Sequence, residues 1–442
     1  MTTSLTRPAS PGSIERLGQK VGAATAVAVE AYLWGYPLVL MNRTKRLLTC
    51  RDHRGTAPVN TLRHRTALAT ARDREIVKPN NDTIYSIGWL DLADGPLVLD
   101  VPEVHGRYYS FQFLDAYTNT WEYVGRRTTG THPGRFVLVG PSWRGDLPDG
   151  KILASPTNTV WMIGRTIVDG PEDLAEVAQL VEGYRLTPVG DVDGEPRWTA
   201  GPIESPHTIG DAGISFFDEL CAAMEVDPSP TGEEEVLARF ATLGIAPGLR
   251  PSTAITDPVV RAALEHAVVM GDRLLAARRT KSERAWDYNL ELGTYGTNHL
   301  LRAAVARHGL GALTASEAIY ATTEIDATGQ QLTGAHSYRL HFDSEQLPPV
   351  DAFWSLTMYD DESFLVHNPA DRFAIGDRTA GLTYSPDGSL EIIIQHREPT
   401  DATERANWLP APEGNFQLTM RFYEPREEML TNRYVIPAVT RR

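Results

Sequence analysis

From Thr83 the sequence changes its period, and that change limits the folds open to the chain more than any other feature. "TIYSIGWLDL", "PLVLDV", "RYYSFQFLDAYTNTWEYVG", "RFVLVG" and "TVWMIGRTIV" are short runs rich in aromatic and β-branched residues, separated by Gly, Pro and Asp. On a pleated strand successive side chains point to opposite faces. Short strands broken by such turns have the cadence of an antiparallel sandwich or barrel.

Helical blocks flank this region. Ile14, Leu17, Val21 and Ala24 to Val29 recur at helical spacing, so residues 14–50 read as helix, with a kink or break at Gly35-Tyr36-Pro37. Residues 171–310 return to a 3.6-residue period in "EDLAEVAQLVEGYRL", "GISFFDELCAAMEV", "EEEVLARFATLGI" and "VVRAALEHAVVMGDRLLAARRTKSE". Strand character resumes near Gly329 with "HSYRLHF", "DAFWSLTMYD", "LTYSPDGSLEIIIQH" and "NFQLTMRFYEP". Asp387-Gly388 predicts a hairpin turn between Leu382–Tyr384 and Leu390–Ile394, because glycine supplies the positive φ such turns need.

The expected fold is therefore α+β: two antiparallel β-sandwich halves with an N-terminal helical segment and a helical middle insert. The boundaries fall at 1–75, 76–188, 189–325 and 326–442. No G-x-G-x-x-G follows a strand and the βαβ alternation is missing, which argues against a dinucleotide-binding fold.

A length of 442 residues points to more than one domain. The net charge of -15, spread along the chain, argues against a nucleic-acid partner, which needs clustered Lys and Arg. Cys50 and Cys221 allow one disulfide at most and read as buried small residues. The N-terminus lacks the basic and then apolar order of a leader. Glu30 interrupts its apolar stretch, so no membrane helix is expected and a cytoplasmic location is the default.

The polar groups inside the strands carry the functional signal. Along Arg107 to Tyr123, the odd positions Tyr109, Phe111, Phe113, Tyr117, Trp121 and Tyr123 gather aromatics on one side, together with Arg107, Asp115 and Asn119. Such a face describes either a small-molecule pocket or an aromatic core edged by an Arg–Asp pair. In "NFQLTMRFY", Phe416, Leu418, Met420 and Phe422 form an apolar face, and Gln417, Thr419, Arg421 and Tyr423 the other. An arginine there is either solvated or clamps a carboxylate or phosphate. Trp354 and Tyr359 fall on opposite faces, while Asn407 and Trp408 sit in a turn. In "KPNNDTIYS", Lys78 to Asp82 read as a turn whose Asn and Asp side chains bond local amides and launch a strand. From there Tyr85 is expected to join the wall of Tyr109.

The twelve histidines show no HxH, HExxH or HxxxH spacing, so no metal site and no cofactor is expected. No G-x-S-x-G elbow is present.

Taken together, these strings resemble a bacterial family pair, domains of unknown function 1254 and 1214. The first half does so through "AYLWGYPLVLMNR", "KPNNDTIYSIGWLDLADGPLVLDVP", "GRYYSFQFLDAYTNTWEYVGRRTTG" and "PTNTVWMIGRT". The second does so through "LPPVDAFWSLTMYD", "GSLEIIIQH" and "NWLPAPEGNFQLTMRFYEP". The resemblance implies sandwich or jelly-roll-like halves joined by helices, and it implies no settled activity. By position it makes site candidates of Asn81, Asp82, Tyr85, Arg107, Tyr109, Asp115, Tyr117, Asn119, Trp354, Tyr359, Asn407, Trp408 and Arg421.

Three functions compete. The first is a cofactor-independent enzyme performing hydrolysis, elimination or cyclisation. There Asp115 or Asp82 would act as base, Tyr109 or Tyr117 would donate a proton, and Arg107 or Arg421 would hold an anionic group. The remaining residues, Tyr85, Asn81, Asn119, Trp354, Tyr359 and Trp408, would contact substrate. The second is a sandwich that binds a sugar or lipid-like ligand without catalysis, and the third is a structural protein whose aromatics are all core. The expected partner is a small molecule, with no nucleic acid and no membrane, and association with further copies stays open.

Overall fold

The structure, a computed structural model, describes residues 11–53, 55–74, 78–190, 195–201, 204–277 and 285–442. It opens with α1 (Pro11–Leu48), a helix that runs on through Pro37 where a break was expected. The reason is tertiary. Trp34, Tyr36, Leu38 and Val39 are buried, and a Cβ on Gly35 would come within 2.5 Å of Leu220, so the glycine serves helix packing.

The first β region comprises β1 (Arg63–His64), β2 (Thr83–Asp91), β3 (Leu97–Val101), β4 (Tyr109–Asp115) and β5 (Thr120–Gly125), then the single turn α2 (Arg126–Thr129). It continues with β6 (Gly134–Val139), β7 (Lys151–Ala154), β8 (Thr159–Ile167), α3 (Leu174–Val181) and β9 (Arg185–Pro188). These strands build two sheets, in the orders β1-β2-β8-β4-β5 and β7-β6-β3-β9. Every pairing is antiparallel except β6 with β7. Both sheets feed one apolar cluster, in which Ile84, Tyr109, Phe111, Phe113 and Met162 meet Leu97, Leu99, Phe136 and Leu138. The end of the expected helix 172–186 becomes the edge strand β9, paired with β3.

The middle of the chain holds α4 (Ser215–Val226), α5 (Glu234–Ala241), α6 (Pro251–Ala254), α7 (Pro258–Ala277) and α8 (His299–Gly309). Residues 278–284, the end of one expected helix, lie outside the described residues. These helices share a core with α1 through Ala28, Tyr32, Trp34, Phe216, Leu220, Leu264 and Ala303. By length and composition Gly18–Leu48 is long and apolar enough to cross a membrane, against the expectation from sequence, and most of that stretch is buried inside the protein.

The second β region comprises β10 (Ala318–Thr323), β11 (Tyr338–Phe342), β12 (Val350–Asp360), β13 (Ala374–Gly376), β14 (Leu390–Gln395), α9 (Ala402–Ala406), β15 (Trp408–Pro410), β16 (Phe416–Pro425), α10 (Glu427–Leu430) and β17 (Thr440–Arg441). Its sheets, β10-β16-β12-β13 and β15-β14-β11-β17, meet over Leu356, Met358, Leu418, Met420 and Phe422 on one side and Tyr338, Leu340, Ile392 and Ile394 on the other. The turn at Asp387-Gly388 forms with φ +84° at the glycine, but only its second arm is a strand. β1 and β10 extend the sheets beyond the boundaries drawn at 75 and 325. The fold is thus α+β, with several antiparallel sheets and an N-terminal helix.

Candidate functional site

The two halves meet through sheet faces that the period-two rule assigns. In the first half Tyr85, Arg165 and Ser110 are register partners across β2, β8 and β4, so they share one face. Tyr109 pairs with Thr166 and stands on the other face, inside the apolar core. Tyr85 therefore does not join the wall of Tyr109, contrary to the expectation from sequence. The face turned to the second half carries Tyr108, Ser110, Gln112 and Tyr123. In the second half Tyr320, Arg421 and Ser355 form one row across β10, β16 and β12, and Thr322, Thr419 and Thr357 the next.

Aromatic rings close part of this seam. Tyr108 meets Phe353 and Tyr423 edge-on at 5.4 and 5.1 Å, and Phe353 stacks on Tyr423 at 4.1 Å. The turn Lys78–Asp82 closes another part. Asn80 Nδ2 donates to Tyr423 Oη at 2.8 Å while its Oδ1 accepts from the Asp82 amide. The Pro79 carbonyl accepts from Tyr359 Oη at 2.8 Å, and the Lys78 carbonyl from Arg421 at 3.2 Å. Asp82 accepts from Ser355 Oγ at 2.6 Å and pairs with Arg378 at 3.1 Å. Lys78 holds a left-handed φ of +51°, a conformation unfavourable for a non-glycine residue. The turn is a latch between the halves, built from the Asn80 and Asp82 side chains and the Lys78 and Pro79 carbonyls.

Between these contacts some side chains are less completely covered. Tyr85, Tyr320 and Thr322 are only half-buried although they lie on facing sheets. Burial nevertheless pushes the Tyr320 phenol up to about 12, with Arg165, Tyr85 and Arg421 all within electrostatic reach of it. Tyr85, Tyr320 and Thr322 each keep accessible surface where the two faces meet, hereafter the recess. Arg165 holds the first wall, donating to Gln112 Oε1 and the Gly311 carbonyl at 3.0 Å each, with its guanidinium 5.5 Å from the Tyr85 ring centre. Arg421 holds the second, donating to Thr357 Oγ1 and Tyr359 Oη at 2.6 Å. Lys78 Nζ donates to Thr322 Oγ1 at 3.3 Å. Both arginines are buried, at 6% and 2% exposure, and among the described residues neither has a carboxylate within ion-pair distance. Asp82 is within electrostatic reach of Arg421 without touching it, and a buried charge with no counter-charge in contact costs on the order of several kcal/mol.

Of the residues singled out by sequence, the recess and its latch bring together Asp82, Tyr85, Tyr359 and Arg421. The others stand elsewhere. The run Arg107–Tyr123 is a hairpin, not one strand, and Asp115 closes its turn. Its Oδ1 accepts from the Tyr117 and Asn119 amides at 2.9 and 2.8 Å, and its Oδ2 accepts from Asn119 Nδ2 at 3.1 Å. Five residues beyond Ser110 along β4, it lies about 17 Å from that row. Burial pushes its carboxyl up to about 6. Tyr117 donates to the Asp227 carbonyl among the helices, and Tyr109 to the Gly130 carbonyl. Arg107 is paired with Asp173 at 2.6 Å beside an open surface hollow of about 550 Å³ that also holds Glu103, Asp169 and Glu176. Asn81 donates to the Ala69 carbonyl, Trp408 to the Gln395 carbonyl and Asn407 to the Thr383 and Glu391 carbonyls, while Trp354 lies in the apolar core.

Sequence reasoning missed Arg165, Tyr320, Gln112 and Tyr108. One signal for Arg165 was present, an arginine inside the otherwise apolar run "TVWMIGRTIV". For Tyr320 there was none, since β10 is short and follows directly on the helical region. Cys50 and Cys221 are both free and buried. Among the described residues no group of three or more His, Cys, Asp or Glu side chains is placed to hold a metal ion.

Two family models match the chain, both described as "Protein of unknown function": DUF1254 over residues 59–188 and DUF1214 over residues 317–427. The seam described above lies between these two segments. A crystal structure of a Vibrio parahaemolyticus protein is similar at 23% identity, with a TM-score of 0.75 over 95% of this chain and all of that one, a likeness of fold. A putative uncharacterized protein from Burkholderia cenocepacia aligns at 11% identity with a TM-score of 0.44, over 97% of this chain and 95% of that one. No curated protein matches the chain.

Proposed function

The chain belongs to the family of two-domain proteins that join DUF1254 and DUF1214 segments, and we propose that the recess between its halves is a small-molecule active site for acid–base chemistry without a redox step. The observation that carries this reading is the convergence of Tyr85, Tyr320, Arg165 and Arg421 on one recess whose tyrosines keep accessible surface. Tyr320 stays protonated across the physiological range, so its hydroxyl acts as a donor to an oxygen that gains charge in hydrolysis, elimination or cyclisation. The arginines orient the substrate and hold charge as it develops. Asp82 is the carboxylate of the turn itself, and its bonds to Ser355 and Arg378 fit a positioning role.

That engagement of Asp82 also favours a second reading, a binding protein without catalysis. Incubating the protein with a small-molecule cell extract and following the mixture by mass spectrometry separates the two. The active-site reading expects one compound consumed and one product formed, with both changes lost in Tyr85→Phe and Tyr320→Phe variants that keep their melting temperatures. Enrichment of a compound with no product supports the binding protein. Neither enrichment nor turnover sinks both.

The finer form of the fold belongs with this proposal. Each half is a sandwich of two sheets, supported by the single apolar cluster that its two sheets share.

A further inference from the structure

We infer that the molecule taken by the recess is a small organic carboxylate, its charge held against Arg165 and Arg421 and its flat body against Tyr85 and Tyr320. This rests on the recess being a small-molecule site, and it adds the charge and shape of the occupant.

The charge balance of the seam carries the inference. Its other arginines each have a carboxylate: Arg378 has Asp82, Arg126 has Glu424 and Arg127 has Glu317. Arg165 and Arg421 have hydroxyls, a side-chain amide and backbone carbonyls instead. The nearby acids are already engaged, Asp82 by Arg378 and Ser355, and Glu317 by Arg127 and Tyr108. The tyrosines do not supply the missing charge, because burial holds the phenols of Tyr320, Tyr359 and Tyr423 above their ordinary range and so protonated.

A second, independent observation points the same way. Arg421 is 2% exposed and its Nε has no hydrogen-bond partner among the described residues. A guanidinium donates along a planar fork that matches a carboxylate, and here one tine of a deeply buried fork is unused. Two like charges facing one recess are balanced by an anion between them, and the tyrosine rings make a flat, unsaturated body the better fit.

The test uses benzoate and its neutral isostere benzamide, titrated into the intact protein at constant ionic strength by calorimetry and thermal shift. Benzoate is expected to bind and to raise the melting temperature, and benzamide to bind roughly a hundredfold more weakly, the scale of one charge-assisted pair. Arg421→Met and Arg165→Met should each remove the benzoate response, whereas Arg107→Met, outside the recess, should keep it. Should a recess variant fail to fold, crystals of the wild-type protein soaked in 4-bromobenzoate should show the bromine signal inside the recess. Equal binding of acid and amide, no benzoate binding at about 20 mM, or a bromine located elsewhere overturns the inference. Benzamide binding in the recess as well as benzoate would sink the anion preference while leaving the small-molecule site standing. A crystal structure with the recess filled by protein side chains would remove that site too.

Discussion

Replacing Asp115 with Asn tests whether this carboxylate works as a base or as a turn. Burial raises its pKa from 3.8 to about 6. Folding therefore takes up a proton between those values, and the ionised form burdens the native state. The burden is absent below 3.8, grows as pH rises, and is complete above about 6. Two units at 1.36 kcal/mol each make it about 3 kcal/mol, of which about 1.4 kcal/mol accrues between pH 5 and 8. The group is 3% exposed, so screening by solvent takes little from that figure. Asn keeps an Oδ1 for the two backbone amides that Asp115 Oδ1 accepts, and the Asn119 amide can turn to meet the new Nδ2. Melting temperatures of the two proteins, compared from pH 5 to 8, should thus diverge in favour of the variant by roughly 2 °C. Asp377, raised to about 6 by burial as well, titrates in both proteins and cancels. A difference that does not change with pH, or a variant weakened by several kcal/mol throughout, would refute the reasoning. Loss of turnover with no such divergence would return Asp115 to the chemistry.

The seam and the thiols give two further checks. Asp82→Asn keeps an acceptor for Ser355 but removes the charge facing Arg378, and should cost about 2 kcal/mol; faster amide exchange at 78–86 and 353–357, with none in α1 and α7, would locate the loss in the seam. Cys221 is fully buried and burial pushes its thiol up to about 11, so at pH 8 it should stay silent to thiol reagents until the protein unfolds, and the melting temperature should ignore reductant. Rapid labelling of the native protein would contradict that placement.

Period-two reasoning read the strands well where one face is apolar and the other polar. The split of β16 into Phe416, Leu418, Met420, Phe422 and Gln417, Thr419, Arg421, Tyr423 is found in the structure as drawn. At Arg107–Tyr123 it left a pocket and an aromatic core both open, because aromatics there lie on both faces, and the face of Tyr109, Phe111 and Phe113 is core. The hairpin turn at Asp115 reversed the chain and invalidated the alternation beyond it, and positive φ at Thr118 marks that reversal. Pro37 misled for a related reason. A helix tolerates proline when its flanks are packed against α4 and α8, and packing is not written in the local sequence. Lys78–Asp82 was legible as a turn, but its bonds to Tyr423, Tyr359, Arg421 and Ser355 span more than 270 residues of chain. No single-sequence pattern carries such pairings.

Strands β8 and β16 are buried at every position, and a strand covered on both faces is ordinarily apolar on both. Where the halves only adhere, that is what the seam uses: Ile167, Ala318, Leu313 and Phe353 form a cluster with the rings of Tyr108 and Tyr423. One step along the same strands the face turns to Arg165, Gln112, Thr419 and Arg421, which adhere less well and are costly to desolvate. Adhesion alone therefore does not account for that stretch. An occupant that binds only the folded protein returns stability in proportion to its own saturation, about 2.7 kcal/mol at a hundred times its Kd. On this account the recess is the weak part of the molecule. Occupancy should then protect the seam strands β2, β8, β10 and β16 from exchange more than it protects the helical layer around α1.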